Sequence, residues 1–327
     1  MGWRSVVVSN PAKLSLHDHS MVVEQEGEKV SVPVEDISFI VIDCLHVSLT
    51  ATLLSNLAAN DVSVLFVDER HLPNGVLLPY HTHFQTLKVM KAQLALSLPK
   101  KKRLWKLIVK QKIRNQADVL FLSGKKSKEM HLRSIAERVR SGDPDNLEAY
   151  AAQVYFSELL GKQFSRNDNS FINAAFDYGY SLVRSSLARF LVSHGFLTAF
   201  GLFHKNERNP FNLADDLLEP FRPIVDAYVL EKIEKTDSDL VLGPQEKKIL
   251  VKILHEDVHL DANGTDIGKS SLLNASEEIV NSLHRTLLDE NSPLILPVLS
   301  GGQYEPGNKA VHEDFSFLRL TDDEQGS

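Results

Sequence analysis

The chain has 327 residues, enough for two hydrophobic cores. Its 43% hydrophobic and 24% charged content is that of an ordinary globular protein, which excludes a disordered or fibrous chain. No apolar run approaches the roughly 20 residues that span a bilayer. The first residues, with Val6-Val7-Val8 close behind them, are too short and too strand-like for a secretory signal. The single cysteine, Cys44, excludes an intramolecular disulfide and reads as a small buried residue, so the expected location is cytoplasmic. The net charge of −7 argues against a nucleic-acid partner, but it averages two unlike regions. Residues 88–140 carry 16 Lys and Arg against 3 Asp and Glu, whereas residues 231–327 carry 9 against 19. Such a basic run is either a solvated helix face or a surface for a phosphate backbone.

In chain order, residues 3–9, 21–25, 29–34 and 37–43 are short β-branched runs separated by turn-forming residues, and they predict strands. Residues 49–59 show helical spacing, 62–67 predict a buried strand, and Pro73-Asn74-Gly75 predicts a turn. Beyond residue 83 the apolar period becomes 3.6. Helices are predicted over 84–98, 102–116, 128–141, 145–160, 171–194, 220–235 and 245–258, with a last short one over 281–289. The expected fold is α+β: a small N-terminal β-rich domain over residues 1–82, a larger all-α catalytic domain over 83–290, and an acidic, loosely structured tail over 291–327.

The most distinctive segment runs GLFHKNERNPFNLADDLLEPFRPIVD over residues 201–226. His204 follows a glycine, Asn209-Pro210 makes a turn, and Asn212 reads as the N-cap of a helix holding Asp215, Asp216 and Glu219. On a helix, residues three or four apart share a face, so either aspartate can approach Glu219. The cluster fits two readings. It is an acidic first turn complementing the helix dipole, or a site for a hard divalent cation, to which carboxylate oxygens and imidazole are suited.

NLADDLLEPFRP, residues 212–223, resembles the signature of the CRISPR-associated adaptation endonuclease, the integrase of spacer acquisition. Two further segments extend the resemblance. Asn173-Ala-Ala-Phe-Asp-Tyr178-Gly-Tyr180, with Arg184 and Ala188-Arg189, is similar to the family's long central helix. Asp145-Asn-Leu-Glu148-Ala149 is similar to its glutamate-bearing helix. The resemblance covers roughly residues 1–290 and is greatest to the branch that accompanies type II CRISPR systems. It implies that Glu148, His204 and Glu219 are the catalytic metal ligands for Mg²⁺ or Mn²⁺, with Asp216 supporting them or serving as an alternative ligand.

The resemblance further implies phosphoryl transfer. The 3′-hydroxyl of a short DNA duplex attacks a phosphodiester at the edge of the CRISPR repeat, and water in its place gives nuclease activity. The implied partners are double-stranded DNA, a second copy in a homodimer formed through the strand-rich domain, and the smaller ferredoxin-like adaptation protein in a heterohexamer. The type II effector nuclease and an accessory ring protein are further implied partners, and no membrane is. Near the acids, Arg184, Arg189, Lys205, Arg208 and Arg222 are candidate DNA contacts or partners of Asp215 and Asp216, and Tyr178 and Tyr180 are candidates for stacking or core packing.

One rival motif is present. His255-Glu256-Asp257-Val258-His259 matches H-E-x-x-H of zinc metallopeptidases, with Glu278 downstream, although Asp261-Ala-Asn-Gly264 breaks the required helix. The pairs His17/His19 and His81/His83 lack partner acids or cysteines and read as surface residues. A non-catalytic DNA-binding scaffold shares the basic segment but has no need of the three ligands together.

Overall fold

The structure, a computed structural model, describes residues 4–69, 73–80, 84–168, 170–233, 242–289 and 291–299. Its N-terminal part contains β1 (Arg4–Val8), β2 (Ala12–His17), β3 (Ser20–Gln25), β4 (Glu28–Pro33), β5 (Ile37–Ile42), β6 (Val47–Leu49), α1 (Ala51–Ala59), β7 (Ser63–Val67) and β8 (Pro73–Leu77). They form two sheets, ordered β1-β5-β7-β8 and β4-β3-β2-β6. In the first, β1, β5 and β7 are parallel and β8 closes the edge antiparallel. Strands β2 and β6 are weakly marked in the sequence, because β2 has only Leu14 and Leu16 as strong apolar residues and β6 is three residues long. Pro73-Asn74-Gly75, expected to be a turn, instead opens β8. Proline is tolerated there because an edge strand need not donate every ladder bond.

Strand β5 is buried at every position, which fits its uninterrupted ISFIVI. Successive side chains alternate across the sheet. Ile40 and Ile42 therefore join Val64, Leu53 and Leu57 in a small core beside the second sheet, while Phe39 and Val41 join the large core of the helical part. Thr50 caps α1 by accepting from Leu53 N at 3.3 Å. Cys44, expected to be buried, is half-buried.

The helical part follows as α2 (Thr86–Leu94), α3 (Leu98–Leu122), α4 (Lys126–Arg138), α5 (Leu147–Leu160), α6 (Phe171–Ser193), α7 (Asn212–Leu218), α8 (Arg222–Lys232), α9 (Pro244–Val251), β9 (Asp257–Ala262), β10 (Thr265–Ser271), α10 (Leu272–Leu288) and β11 (Ile295–Val298). Pro99, in the first turn of α3, separates α2 from α3, because proline fits where helix N–H groups lack intrahelical partners. Helix α6 is buried along most of its length and packs against α7, α8, α9 and α10. A Cβ on Gly179 would lie 2.6 Å from Val225 Cγ1, so glycine here sets how closely α6 and α8 approach.

Two further expectations are corrected. The helical part carries a three-stranded sheet, β10-β9-β11, in addition to its helices. Residues 295–298, assigned to a loose tail, pair with β9 because Ile295 and Leu296 are buried against the large core. The tail beyond residue 299 and the His81/His83 pair lie outside the described residues.

The two parts are joined by buried polar contacts. Lys247 of α9 donates to Asp43 at the end of β5 at 3.0 Å, with both side chains almost fully buried, and Arg189 of α6 donates to the Ser38 carbonyl. Tyr178 lies near Asp43, and its buried hydroxyl has no hydrogen-bond partner. Among the described residues, no helix is long and apolar enough to cross a membrane.

Candidate active site

Helices α3, α5 and α7 bring the site together. Asp143 fastens the first turn of α5 by accepting from Leu147 N at 3.0 Å and Glu148 N at 2.9 Å. This orients Glu148, whose Oε1 accepts from Lys112 Nζ of α3 at 2.7 Å. Lys112 also ion-pairs with Glu219 Oε2. Arg222 donates to the other Glu219 oxygen at 3.0 Å, and its guanidinium lies 4.6 Å from the centre of the Tyr180 ring. Burial pushes the Glu219 carboxyl up, but Arg222 and Lys112 outweigh it and hold it down at about 2. Burial likewise opposes the charge on Lys112, and Glu219 and Glu148 overcome it and raise the ammonium above its ordinary value.

His204 enters from the loop before α7. Gly201 is needed because a Cβ there would lie 2.6 Å from both Asp216 Oδ2 and the His204 carbonyl oxygen. Asp216, with its side chain fully buried, accepts from Leu202 N at 2.5 Å, Phe203 N at 3.1 Å and His204 N at 3.1 Å. It also bonds His204 Nδ1 at 2.7 Å. A carboxylate that takes so many N–H donors acts as an acceptor, so Nδ1 carries the proton and Nε2 is left with a free lone pair. The Asp216 hydrogen bond raises the His204 imidazole above its ordinary value. Burial opposes this, while the charges of Asp216, Glu219 and Glu148 add to it. Phe203 stacks on Trp105 of α3 at 4.3 Å, and the His204 ring meets Trp105 edge-on at 5.7 Å.

Asn212 does not act as the expected N-cap, because α7 already begins there. Its amide instead ties the loop together, donating to Ala199, Asn206 and Asn209 carbonyls at 2.9–3.1 Å. The neighbouring cations sort clearly. Arg184 pairs with Asp215 at 2.6 Å, Arg189 is buried, Arg222 serves Glu219, and Lys205 and Arg208 are exposed. In the basic run, Lys110 and Arg114 pair with Glu137, Arg133 with Asp118 and Glu129, and Arg140 with Asp145, while Lys102 and Arg103 are exposed.

Both tyrosines belong to the core. Tyr178 is fully buried, and Tyr180 donates to Asp226, which also accepts from Tyr155 at 3.1 Å. Burial raises the Asp226 carboxyl to about 6, against the tyrosine hydrogen bonds that lower it. Its folded value lies above the unfolded one of 3.8, so its contribution to stability is complete below that value and is lost as pH rises through about 6. Asp226→Asn therefore flattens the stability profile between pH 4 and 6 and raises stability at pH 7.5 by on the order of 1 kcal/mol. Urea unfolding at the two ends of that range and again at the higher pH measures both effects.

The zinc-peptidase motif is not formed. His255 ends a 3₁₀ turn and bonds Ser5 Oγ at 2.9 Å, whereas His259 lies in β9 and contacts Asp266 at 3.3 Å. The two histidines therefore do not share a helix face, and Glu278 pairs with Arg285 at 2.6 Å. His17 contacts Asp18 on the surface.

Lys112, Asp143 and Gly201 are functional or supporting residues to which sequence reasoning assigns no role. Lys112 counts there with the basic run, yet its spacing from Ile108 and Val109 puts it on the inward face of α3, as its burial shows.

Comparison with known proteins places the chain in a family. The sequence profile of the family described as CRISPR associated protein Cas1 matches residues 6–240. The CRISPR-associated endonuclease Cas1 of Neisseria meningitidis serogroup C (strain 8013) is 43% identical over 310 residues, covering 93% of this chain and all of that protein. Among solved structures, a casposase bound to an integration product superposes with a TM-score of 0.74 at 18% identity, over 97% of this chain and 99% of that one. A Cas6-RT-Cas1–Cas2 complex superposes with a TM-score of 0.67 at 15% identity, over 88% of this chain and 35% of that one. These two support the fold. With the profile covering most of the chain and a relative of such identity along nearly all of it, the chain belongs to the Cas1 family of CRISPR-associated proteins.

Proposed function

We propose that the chain is a divalent-metal-dependent DNA endonuclease and integrase of CRISPR adaptation, with Glu148, His204 and Glu219 as its metal ligands. The observation that carries this reading is that two carboxylates, Glu148 of α5 and Glu219 of the 3₁₀ turn that follows α7, meet at one cation, Lys112, in the neighbourhood of His204. Among the described residues, no three His, Cys, Asp or Glu side chains stand ready to hold a metal. The donor chemistry nevertheless fits one. Two carboxylates and an imidazole suit Mg²⁺ or Mn²⁺, the imidazole favouring Mn²⁺. The Lys112 ammonium marks the point between the acids as one that takes positive charge.

When bound, the metal supplies Lewis-acid polarisation of the scissile phosphate and stabilises charge on the entering or leaving oxygen. The chain's own residues prepare for this. Asp216 holds the His204 tautomer that leaves Nε2 for ligation, the arrangement in which a carboxylate behind a ligating histidine fixes its ring. Its oxygens accept from N–H donors of residues 202–204, which favours the supporting role for Asp216 over that of an alternative ligand. Arg222 keeps Glu219 ionised and oriented. The exposed Lys102, Arg103, Lys205 and Arg208 are available to phosphates.

The reading extends to type II CRISPR systems and a cytoplasmic setting. It includes a homodimer through the strand-rich part and assembly with the ferredoxin-like adaptation protein in a heterohexamer. The Cas1–Cas2 content of a structural neighbour supports that assembly. The type II effector nuclease and the accessory ring protein complete the expected partners. The experiment is integration of a labelled short duplex into a repeat-bearing plasmid. Joined product is expected with Mg²⁺ or Mn²⁺ and none with EDTA. Equal joining under chelation contradicts the metal assignment.

A further inference from the structure

We propose that Lys112 is an exchangeable counter-cation, held between Glu148 and Glu219 while the site is metal-free and displaced from both carboxylates when a divalent ion binds. The inference rests on the metal assignment above and goes beyond it by giving a role to a residue outside the ligand set. Lys112 is 8% exposed on the inward face of α3, next to apolar Ile113 and within the core formed with α5 and α8. A lysine in such a place is costly unless its charge is met. It meets two carboxylates from separate elements, Glu148 at 2.7 Å and Glu219 in direct contact.

The two glutamates differ in what else they hold. Glu219 keeps Arg222 on its other oxygen at 3.0 Å. Among the described residues, Lys112 is the one cation paired with Glu148. Without it, Glu148 and Glu219 would face one another with two negative charges and a single guanidinium on the far side. Lys112 thus holds together two acids that would otherwise repel, in a position close to the one in which they are needed.

That position is also one a divalent ion must take. An ammonium lodged between the two carboxylates repels a dication entering the same space, so the two compete for that position. With Lys112 in place, no metal-ready group of three ligands exists among the described residues, as the exchange requires. The side chain is suited to leave. Its four-carbon stem is flexible, whereas a guanidinium fork would be locked by paired hydrogen bonds. Its side chain retains 10% exposure, which gives the ammonium a route outward.

Two measurements on the full chain test this. In the first, lysines of the wild-type protein are acetylated briefly in EDTA or in saturating Mn²⁺, and each site is quantified by mass spectrometry. Lys112 is expected to react about tenfold faster with metal bound. Lys247, buried against Asp43, serves as the control and stays unchanged. In the second, Mn²⁺ binding to Lys112→Met is expected to be about tenfold tighter than to wild type, since no internal cation competes. If wild type binds Mn²⁺ and Lys112 remains equally protected, the exchange is overturned while the metal assignment stands. If wild type binds no Mn²⁺, both fall together. Where Lys112→Met does not fold, the labelling of wild-type protein decides alone.

Discussion

Asp216→Ala is expected to unfold at lower denaturant than any other single truncation around the site, with a loss of about 4 kcal/mol. The residue contacts no substrate in this account, yet it is the common acceptor for three successive backbone N–H groups, from Leu202 to His204, and for the His204 ring. A buried donor left without an acceptor costs about 1–3 kcal/mol, and partial access of water to the half-exposed loop limits the sum. Metal affinity and strand transfer are expected to fall by a further 10- to 100-fold in the molecules that remain folded, as is usual when the partner of a ligating histidine is removed. Asp216→Asn separates the two effects. It preserves volume but turns an NH₂ toward N–H donors, so stability is expected to recover only in part while the histidine tautomer is still lost. Urea unfolding and Mn²⁺ titration of the two variants check this. Wild-type stability in Asp216→Ala would refute the role given to the loop.

Glu219→Gln is expected to reduce strand transfer by about 10³-fold, equivalent to roughly 4 kcal/mol of transition-state stabilisation. It is also expected to lower metal-free stability by about 3 kcal/mol, because Arg222 and Lys112 then face a neutral amide in a buried site. A pH signature accompanies the loss. The carboxyl is held at about 2 in the folded chain against an ordinary value of 4.5. A depressed carboxylate contributes stability that is complete above the unfolded value and lost as pH falls toward the folded one. The wild-type protein therefore loses this contribution between pH 4.5 and about 2, and Glu219→Gln has none to lose over that interval. Parallel stability profiles for the two proteins over this range would contradict the Lys112–Glu219–Arg222 arrangement.

Much of the fold was legible because its periods are clean. ISFIVI announces a strand buried on both faces, and the apolar spacing of residues 171–194 announces α6. The sheet β10-β9-β11 was hidden for a physical reason. TDIGKSS in β10 is almost wholly exposed and polar, and residues 252–258 continue the apolar spacing of α9 while the chain turns through a 3₁₀ segment into β9. Of the site, Glu148, His204 and Glu219 were drawn together by the family resemblance of their separate segments, since no local rule links α5 to α7. Lys112 was visible only as one basic residue among many. Its charge pointed to the surface and its helical spacing pointed inward, and its two carboxylate partners, 36 and 107 positions away, are what let the spacing win. The acidic cluster after Asn212 likewise divided in a way the sequence left open. Asp215 is held by Arg184 and Asp216 by the His204 loop, and only Glu219 faces Lys112 and Glu148.

Under the proposed function, Glu148, at the start of α5, acts with His204 and Glu219 on a phosphodiester that a bound metal would polarise. Glu148→Ala isolates the role of this side chain, because Asp143 holds the first turn of α5 through the backbone and does not depend on it. In the labelled-duplex integration assay with Mn²⁺, the variant is expected to retain duplex binding and a wild-type circular dichroism spectrum while joined product falls by about 10³-fold. Metal-dependent strand transfer at the wild-type rate in Glu148→Ala would contradict the account and favour a non-catalytic DNA-binding scaffold.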